Sequence, residues 1–267
     1  MNEFSGDGFV LTRASRDRRG GTEIEIWVST DEGPVRLWLS GEKPVFFVPG
    51  VDHSEVEKYL QPLGKAVSVS QLALETFSGE PVVAVYASTI RDFHTAQDLL
   101  GRRGMDILEG DIRLHERFLM ERFVHGGVAF IGRMSQRDGY REVRDCRVRS
   151  SDYRPDLKLL SLDIECDMDG TLWSVGLVGH GVDRGEVLVV GDRESCDHTR
   201  IHWCDNEKAL LERLVRRVTV LDPDLLIGWN LVNFDLRIIL ERAARHDVAM
   251  GIGRGGAVAQ WRDARGD

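Results

Sequence analysis

Read for the alternation of apolar and polar positions, the chain changes character just past its middle. Residues 8–12, 22–28, 35–39 and 45–48 place an apolar side chain at nearly every second position, the period of a half-buried strand. Turn residues separate them (Arg19-Gly20-Gly21, Asp31-Glu32-Gly33-Pro34, and Ser40 through Pro44), so the pattern predicts an antiparallel meander. A short helix is predicted after Asp52, then a strand over Pro81–Ala87. A helix over 90–102 follows, with Phe93, Ala96, Leu99 and Leu100 along one stripe. Residues 135–156 are rich in Arg, Asp, Ser and Gly and hold the turn-prone Asp152-Tyr153-Arg154-Pro155, which reads as a loop with a domain boundary near residue 150.

Beyond that boundary the pattern becomes a nearly continuous apolar strand over 157–164, with further strands predicted at 172–178 and 186–190. A helix over 207–218 puts Leu210, Leu211, Leu214, Val215 and Val218 on one face. A buried strand at 225–228 and a helix over 235–245 complete the order. Three strands, helix, strand, helix describes a layered α/β sheet. The expected architecture is an α+β domain over residues 1–150 and an α/β domain over 151–267, without internal repeats.

With 42% hydrophobic and 30% charged residues among 267, the chain can build two cores, which excludes global disorder. No apolar run reaches the roughly 20 residues that a membrane-spanning helix needs, and the start lacks a signal-peptide pattern. A cytoplasmic protein without a membrane partner is expected. Four cysteines, Cys146, Cys166, Cys196 and Cys204, are too few for a disulfide framework. The net charge of −9 divides as −3 over residues 1–150 (20 basic against 23 acidic) and −6 over 151–267 (15 against 21), so neither half is a polybasic module. Residues 101–149 hold 11 basic against 8 acidic side chains, a local bias read as a solvated arginine-rich surface, with phosphate contact as the alternative.

The candidate chemistry lies in three carboxylates. Asp163 and Glu165 interrupt the apolar strand two residues apart, and positions i and i+2 of a strand share one face. Two carboxylates aimed at one point repel unless a cation lies between them, and a divalent ion with oxygen ligands is the economical choice. Asp-x-Glu alone is a weak signal. Further on, Gly228-Trp229-Asn230-Leu231-Val232-Asn233-Phe234-Asp235 leads from a strand through a turn into a helix that begins with a third carboxylate. In a layered sheet, a strand end and a neighbouring loop-to-helix junction can converge on one crevice. Three carboxylates then suit magnesium or manganese; Asp235 by itself would be an ordinary helix cap.

These segments together, Leu162-Asp163-Ile164-Glu165, Asp222-Pro223-Asp224-Leu225-Leu226-Ile227-Gly228-Trp229-Asn230 and Asn233-Phe234-Asp235-Leu236-Arg237, resemble the first and second exonuclease motifs of family B DNA polymerases. The resemblance extends backward through Gly8–Arg13, Gly21-Thr22-Glu23, residues 116–123 and Asp152-Tyr153-Arg154-Pro155, and so covers essentially the whole chain. It implies a polymerase amino-terminal domain followed by a ribonuclease H-like 3′→5′ exonuclease domain, incomplete at its carboxyl end. It also implies two Mg2+ or Mn2+ ions hydrolysing the terminal phosphodiester. Asp163 would bridge both ions, Glu165 would hold the one that activates water, and Asp235 would support the second. Asn230 would hydrogen-bond the frayed primer end, with Phe234 packed near it. The implied partners are the 3′ end of single-stranded DNA, primer-template DNA and, through further chain, a sliding clamp, in the bacterial cytoplasm and on the nucleoid when bound to DNA.

One departure stands out. The family's third exonuclease motif, a tyrosine followed four residues later by the last metal-binding aspartate, is not found: the tyrosines are Tyr59, Tyr86, Tyr140 and Tyr153. The histidine variant fails as well, because Gly251 lies five residues past His246. The sequence is therefore expected to be an amino-terminal part of a polymerase with little or no activity alone and with apolar sheet surface left uncovered. The second function class is a non-catalytic scaffold that binds DNA or a protein partner.

Three other groups of residues carry a candidate chemistry beside a plainer reading. Cys196, His198, His202 and Cys204 supply four potential zinc ligands in nine residues, but the spacing matches no common finger, and they read as a polar loop. The glycines at 251–256 follow a helix, which makes a flexible connector the reading rather than a phosphate loop. Trp27 and Trp38 on adjacent strands favour cross-strand packing over base stacking.

Overall fold

The computed structural model describes residues 3–192 and 200–261. Contacts divide the chain into two units, Met1–Arg137 with Arg141–Pro155, and Asp138–Tyr140 with Asp156–Asp267. In chain order the first unit contains β1 (Glu3–Arg18), β2 (Gly21–Thr30), β3 (Gly33–Ser40), β4 (Val45–Pro49), α1 (His53–Leu60), β5 (Val67–Glu75), β6 (Pro81–Ala87), α2 (Ile90–Gly101), α3 (Leu114–Met120), β7 (Gly127–Gln136) and β8 (Arg141–Ser150).

Five of these strands close a barrel in the order β1-β2-β3-β8-β7, with β8 parallel to β3 and β7 antiparallel to β1. Its interior takes the alternate residues Ile24, Ile26, Val28, Val35 and Leu37, and Leu114 and Phe118 of α3 pack against them. The expected meander holds for β1 to β3 only. β4 starts a separate three-stranded sheet, order β4-β6-β5, which shares a core with residues of α1 and α2.

The loop expected over 135–156 is corrected: much of it is β8. Alternation is hidden there because Asp145 adopts a left-handed φ of 51° and the register with β7 shifts between Ile131 and Arg133. Most of the outward residues of β8 are charged. One charge is buried all the same: Glu142, on the face opposite to Val143, accepts hydrogen bonds from the Trp38 indole at 3.0 Å, Arg137 at 2.7 Å and Arg144 at 3.0 Å. Trp38 is itself buried, with the Arg16 and Arg36 guanidiniums 4.3 and 4.4 Å from its ring centroid, so it packs within the protein.

The second unit contains β9 (Leu159–Cys166), β10 (Leu172–Gly179), β11 (Val182–Val190), β12 (Arg200–Cys204), α4 (Glu207–Leu221), β13 (Leu225–Ile227) and α5 (Asp235–Arg245). The sheet order is β12-β11-β10-β9-β13, with β12 parallel to β11 and β13 parallel to β9. Leu160, Leu162 and Ile164 of β9 face the core with Leu210, Leu214 and Ile239 of the two helices. Period-two alternation sends Asp163 and Glu165 to the other face, where Leu159, Val178, Leu225 and Ile227 are also exposed.

Long-range ion pairs fasten this unit. Glu207, in the first turn of α4, accepts from the Leu172 backbone N–H at 2.8 Å, from Arg242 at 2.7 and 2.5 Å and from His246 at 2.6 Å. The glycine-rich segment is corrected too: Arg254 reaches Asp222 at 2.7 Å and Asp224 at 2.8 Å, and Gly253 bridges to Ala257, so it is pinned. Cys196 and His198 lie outside the described residues. Arg213 donates to His202 Nδ1 at 2.9 Å, and the buried Nε2 lies 3.2 Å from a Glu186 oxygen without forming a hydrogen bond. No helix among the described residues is long and apolar enough to cross a membrane.

Acid should weaken both units. Burial pulls the Glu142 and Glu207 carboxyls upward, but charge-assisted hydrogen bonds outweigh it and hold each at about 2, against an ordinary 4.5. A depressed carboxyl stabilises the fold above its unfolded value and loses that contribution as pH falls through its folded value. Each should therefore lose on the order of 2–3 kcal/mol between about pH 4.5 and 2. Unfolding midpoints measured down this range should flatten in Glu142→Gln and Glu207→Gln; unchanged slopes would refute the assignment.

Candidate active site

Asp163 and Glu165 stand exposed on the outward face of β9. Across the strand pair, Gly176 lies opposite Asp163 and Ser174 opposite Glu165, so the neighbouring strand places no side chain beside Asp163. Asp235 arrives from the other direction. It begins α5 and is 1% exposed. One of its oxygens, Oδ1, accepts the Ile164 backbone N–H at 3.2 Å, between the two β9 carboxylates in sequence. The other, Oδ2, is buried without a partner. Burial pushes the Asp235 carboxyl above its usual range, and the Asp163 charge adds to the effect. The Cys166 thiol senses the same surroundings: burial raises it, and so do Glu165, Asp167, Asp235 and Asp169.

The turn between β13 and α5 is held against β9 at both ends. At Gly228 a Cβ would come to 2.5 Å from the Leu162 carbonyl oxygen, so close an approach that only glycine fits. At the far end Asp235 meets Ile164. The two ends thus flank Asp163. Between them Asn230 takes a left-handed φ of 54°, its carbonyl accepts the Phe234 N–H at 3.0 Å, and Leu231 is buried as a peg. Asn230 and Phe234 are exposed on the turn.

Of the five residues singled out in the sequence, Asp163 and Asp235 are therefore electrostatically coupled, Glu165 shares a face with Asp163, and Asn230 and Phe234 lie on the adjoining turn. Among the described residues, however, no three His, Cys, Asp or Glu side chains are grouped closely enough to hold a metal ion. Sequence reasoning missed Glu207, which fastens the carboxyl end of α5 and thereby the helix that carries Asp235. Its signal was present in part: Arg242 and His246 are four apart and share a helix face, but their acidic partner lies 35 and 39 residues away.

Comparison with known proteins bears on the whole chain. The family model "DNA polymerase II, N-terminal" matches residues 8–42, and "DNA polymerase family B, exonuclease domain" matches residues 185–260, which include Asn230, Phe234 and Asp235 but not Asp163 or Glu165. DNA polymerase II of Escherichia coli K12 is 34% identical over 259 residues, 96% of this chain and 32% of that protein. A DNA polymerase of Archaeoglobus fulgidus is 24% identical over 97% of the chain and 33% of its own length. In fold, the family B DNA polymerase of Pyrobaculum calidifontis superposes with a TM-score of 0.70 at 22% identity, covering 96% of this chain and 34% of that one. The chain spans about a third of the length of these relatives. From the paired family models in their order, and from sequence and fold likeness along nearly all its residues, the chain belongs to the family B DNA polymerases, as their amino-terminal and exonuclease portion.

Proposed function

We propose that the chain carries the 3′→5′ exonuclease of a DNA polymerase, joined to the amino-terminal domain, and that it acts on the 3′ end of single-stranded DNA and on primer-template DNA. The observation that carries this reading is the meeting of Asp235 with β9 between Asp163 and Glu165, one carboxylate oxygen being buried and unpartnered. A buried acceptor without a donor is costly and suits a cation. Asp163, Glu165 and Asp235 are oxygen donors of the hard type that Mg2+ or Mn2+ prefers; they are not drawn together into a three-ligand group, so binding would have to close them around the ion, with water and phosphate oxygens in the remaining positions. When bound, two such ions would supply activation of water and stabilisation of the departing 3′ oxygen. The chain's own part is to place the substrate: Asn230 hydrogen-bonds the terminal nucleotide, Phe234 packs against its base, and Asp235 is kept on β9 by the Ile164 N–H.

Manganese should raise the melting temperature of the native chain and leave that of Asp163→Ala unchanged. No response in either would favour the second reading, a DNA- or partner-binding scaffold, which draws support from the lack of an enclosing group of three ligands among the described residues. No tyrosine beyond Tyr153 is present to orient the attacking water, so the 267-residue chain assayed alone should degrade a 3′-labelled strand slowly or not at all. Rapid degradation that disappears in Asp163→Ala would overturn that expectation. A sliding clamp, engaged through other parts of the polymerase, completes the proposed partners.

A further inference from the structure

We infer that Trp229 is a second base-stacking platform of this site, gripping the DNA strand inward of the terminal nucleotide; the inference rests on the exonuclease reading above. Trp229 is 93% exposed, an unusual state for an indole in a folded protein. Its backbone position is fixed. It follows Gly228, which is pressed against the Leu162 carbonyl, and precedes Asn230, held in the left-handed region with its carbonyl bonded to Phe234. Leu231 is buried beneath the turn, so the loop is anchored from below as well.

The same turn exposes Val232 (61%) and Phe234 (46%). Three exposed apolar side chains in six residues, on a turn whose ends touch β9 on either side of Asp163, form an apolar rim beside a cluster of carboxylates. Phosphates are repelled by such a cluster unless it holds cations, so purchase on a single strand must come largely from its bases. Every base has a π-face, and an aromatic ring holds it without reading its identity. Phe234 adjoins Asp235 at one end of the turn and Trp229 lies at the other, which places two platforms on one rim. Phe234 takes the terminal base; Trp229 takes a base further along the strand.

The test is the binding of a short 5′-labelled single strand, followed by anisotropy in the Asp163→Asn background to prevent degradation. Trp229→Ala should weaken binding roughly 5- to 100-fold and Trp229→Phe much less, since stacking rather than a hydrogen bond is lost. Because Trp229 is exposed, both variants should melt with the parent. An abasic nucleotide moved stepwise along the strand gives the decisive readout. The Trp229→Ala penalty should vanish when the abasic site occupies one internal position and persist at the others. A penalty that is absent, or independent of the abasic position, overturns the role of Trp229. If the parent does not bind the strand at all, or if Phe234→Ala binds as the parent does, it is the exonuclease reading that fails.

Discussion

Asp235→Asn is expected to raise the melting temperature of the metal-free chain by roughly 2–12 °C while abolishing its response to manganese. The carboxyl of Asp235 is buried, one oxygen has no partner, and Asp163 adds like-charge repulsion. Leaving a buried acceptor unsatisfied costs about 1–3 kcal/mol, and in a domain of this size each kcal/mol corresponds to about 2–4 °C. The sign follows from the raised carboxyl: protonation favours the folded state, so the cost accrues as pH rises from the unfolded value through the raised folded one. An amide keeps the oxygen that accepts the Ile164 N–H, removes the charge and offers a donor toward Asp163. The measurement is a pair of melting curves with and without manganese. A lower midpoint for the metal-free variant would mean that Asp235 stabilises the fold on balance. Residues held against stability in this way concentrate at functional sites.

Glu207→Ala should be the most damaging single change in the second unit, costing about 3–5 kcal/mol in urea unfolding. Its carboxylate is the acceptor for the start of β10 through Leu172 and for the end of α5 through Arg242 and His246. Truncation leaves the Arg242 guanidinium, only 11% exposed, without its counter-charge. The double variant Glu207→Ala/Arg242→Ala should recover part of the loss, because the stranded charge is removed as well. If the single variant costs less than about 1 kcal/mol, the cluster is not what fastens α5 to α4.

How much of this could be seen beforehand differs between elements for physical reasons. β1 to β4, β6, β9 to β11, β13 and α2, α4 and α5 were legible because burying one face imposes a period of two or 3.6 on the residues, whereas β7 and the short α3 were not read from the pattern. β8 was not, since its bulge at Asp145 breaks the period and its outward residues are mostly charged. β5 was missed as an edge strand with few buried side chains, and β12 as a short one. The pinned glycine segment was misread because Arg254 is paired with residues 30 and 32 positions earlier.

By itself, the sequence determined that Asp163 and Glu165 share a strand face, that Asp235 opens a helix after a turn, and which family the motifs resemble, because each of these is a local spacing. Only the tertiary structure decided that Asp235 would be buried against Ile164 with an oxygen left over, that the ends of its turn would flank Asp163, and that Glu207 would gather Arg242, His246 and Leu172. Those outcomes depend on which elements pack together. Packing of that kind is settled by burial summed over a whole core, which no short stretch of residues encodes.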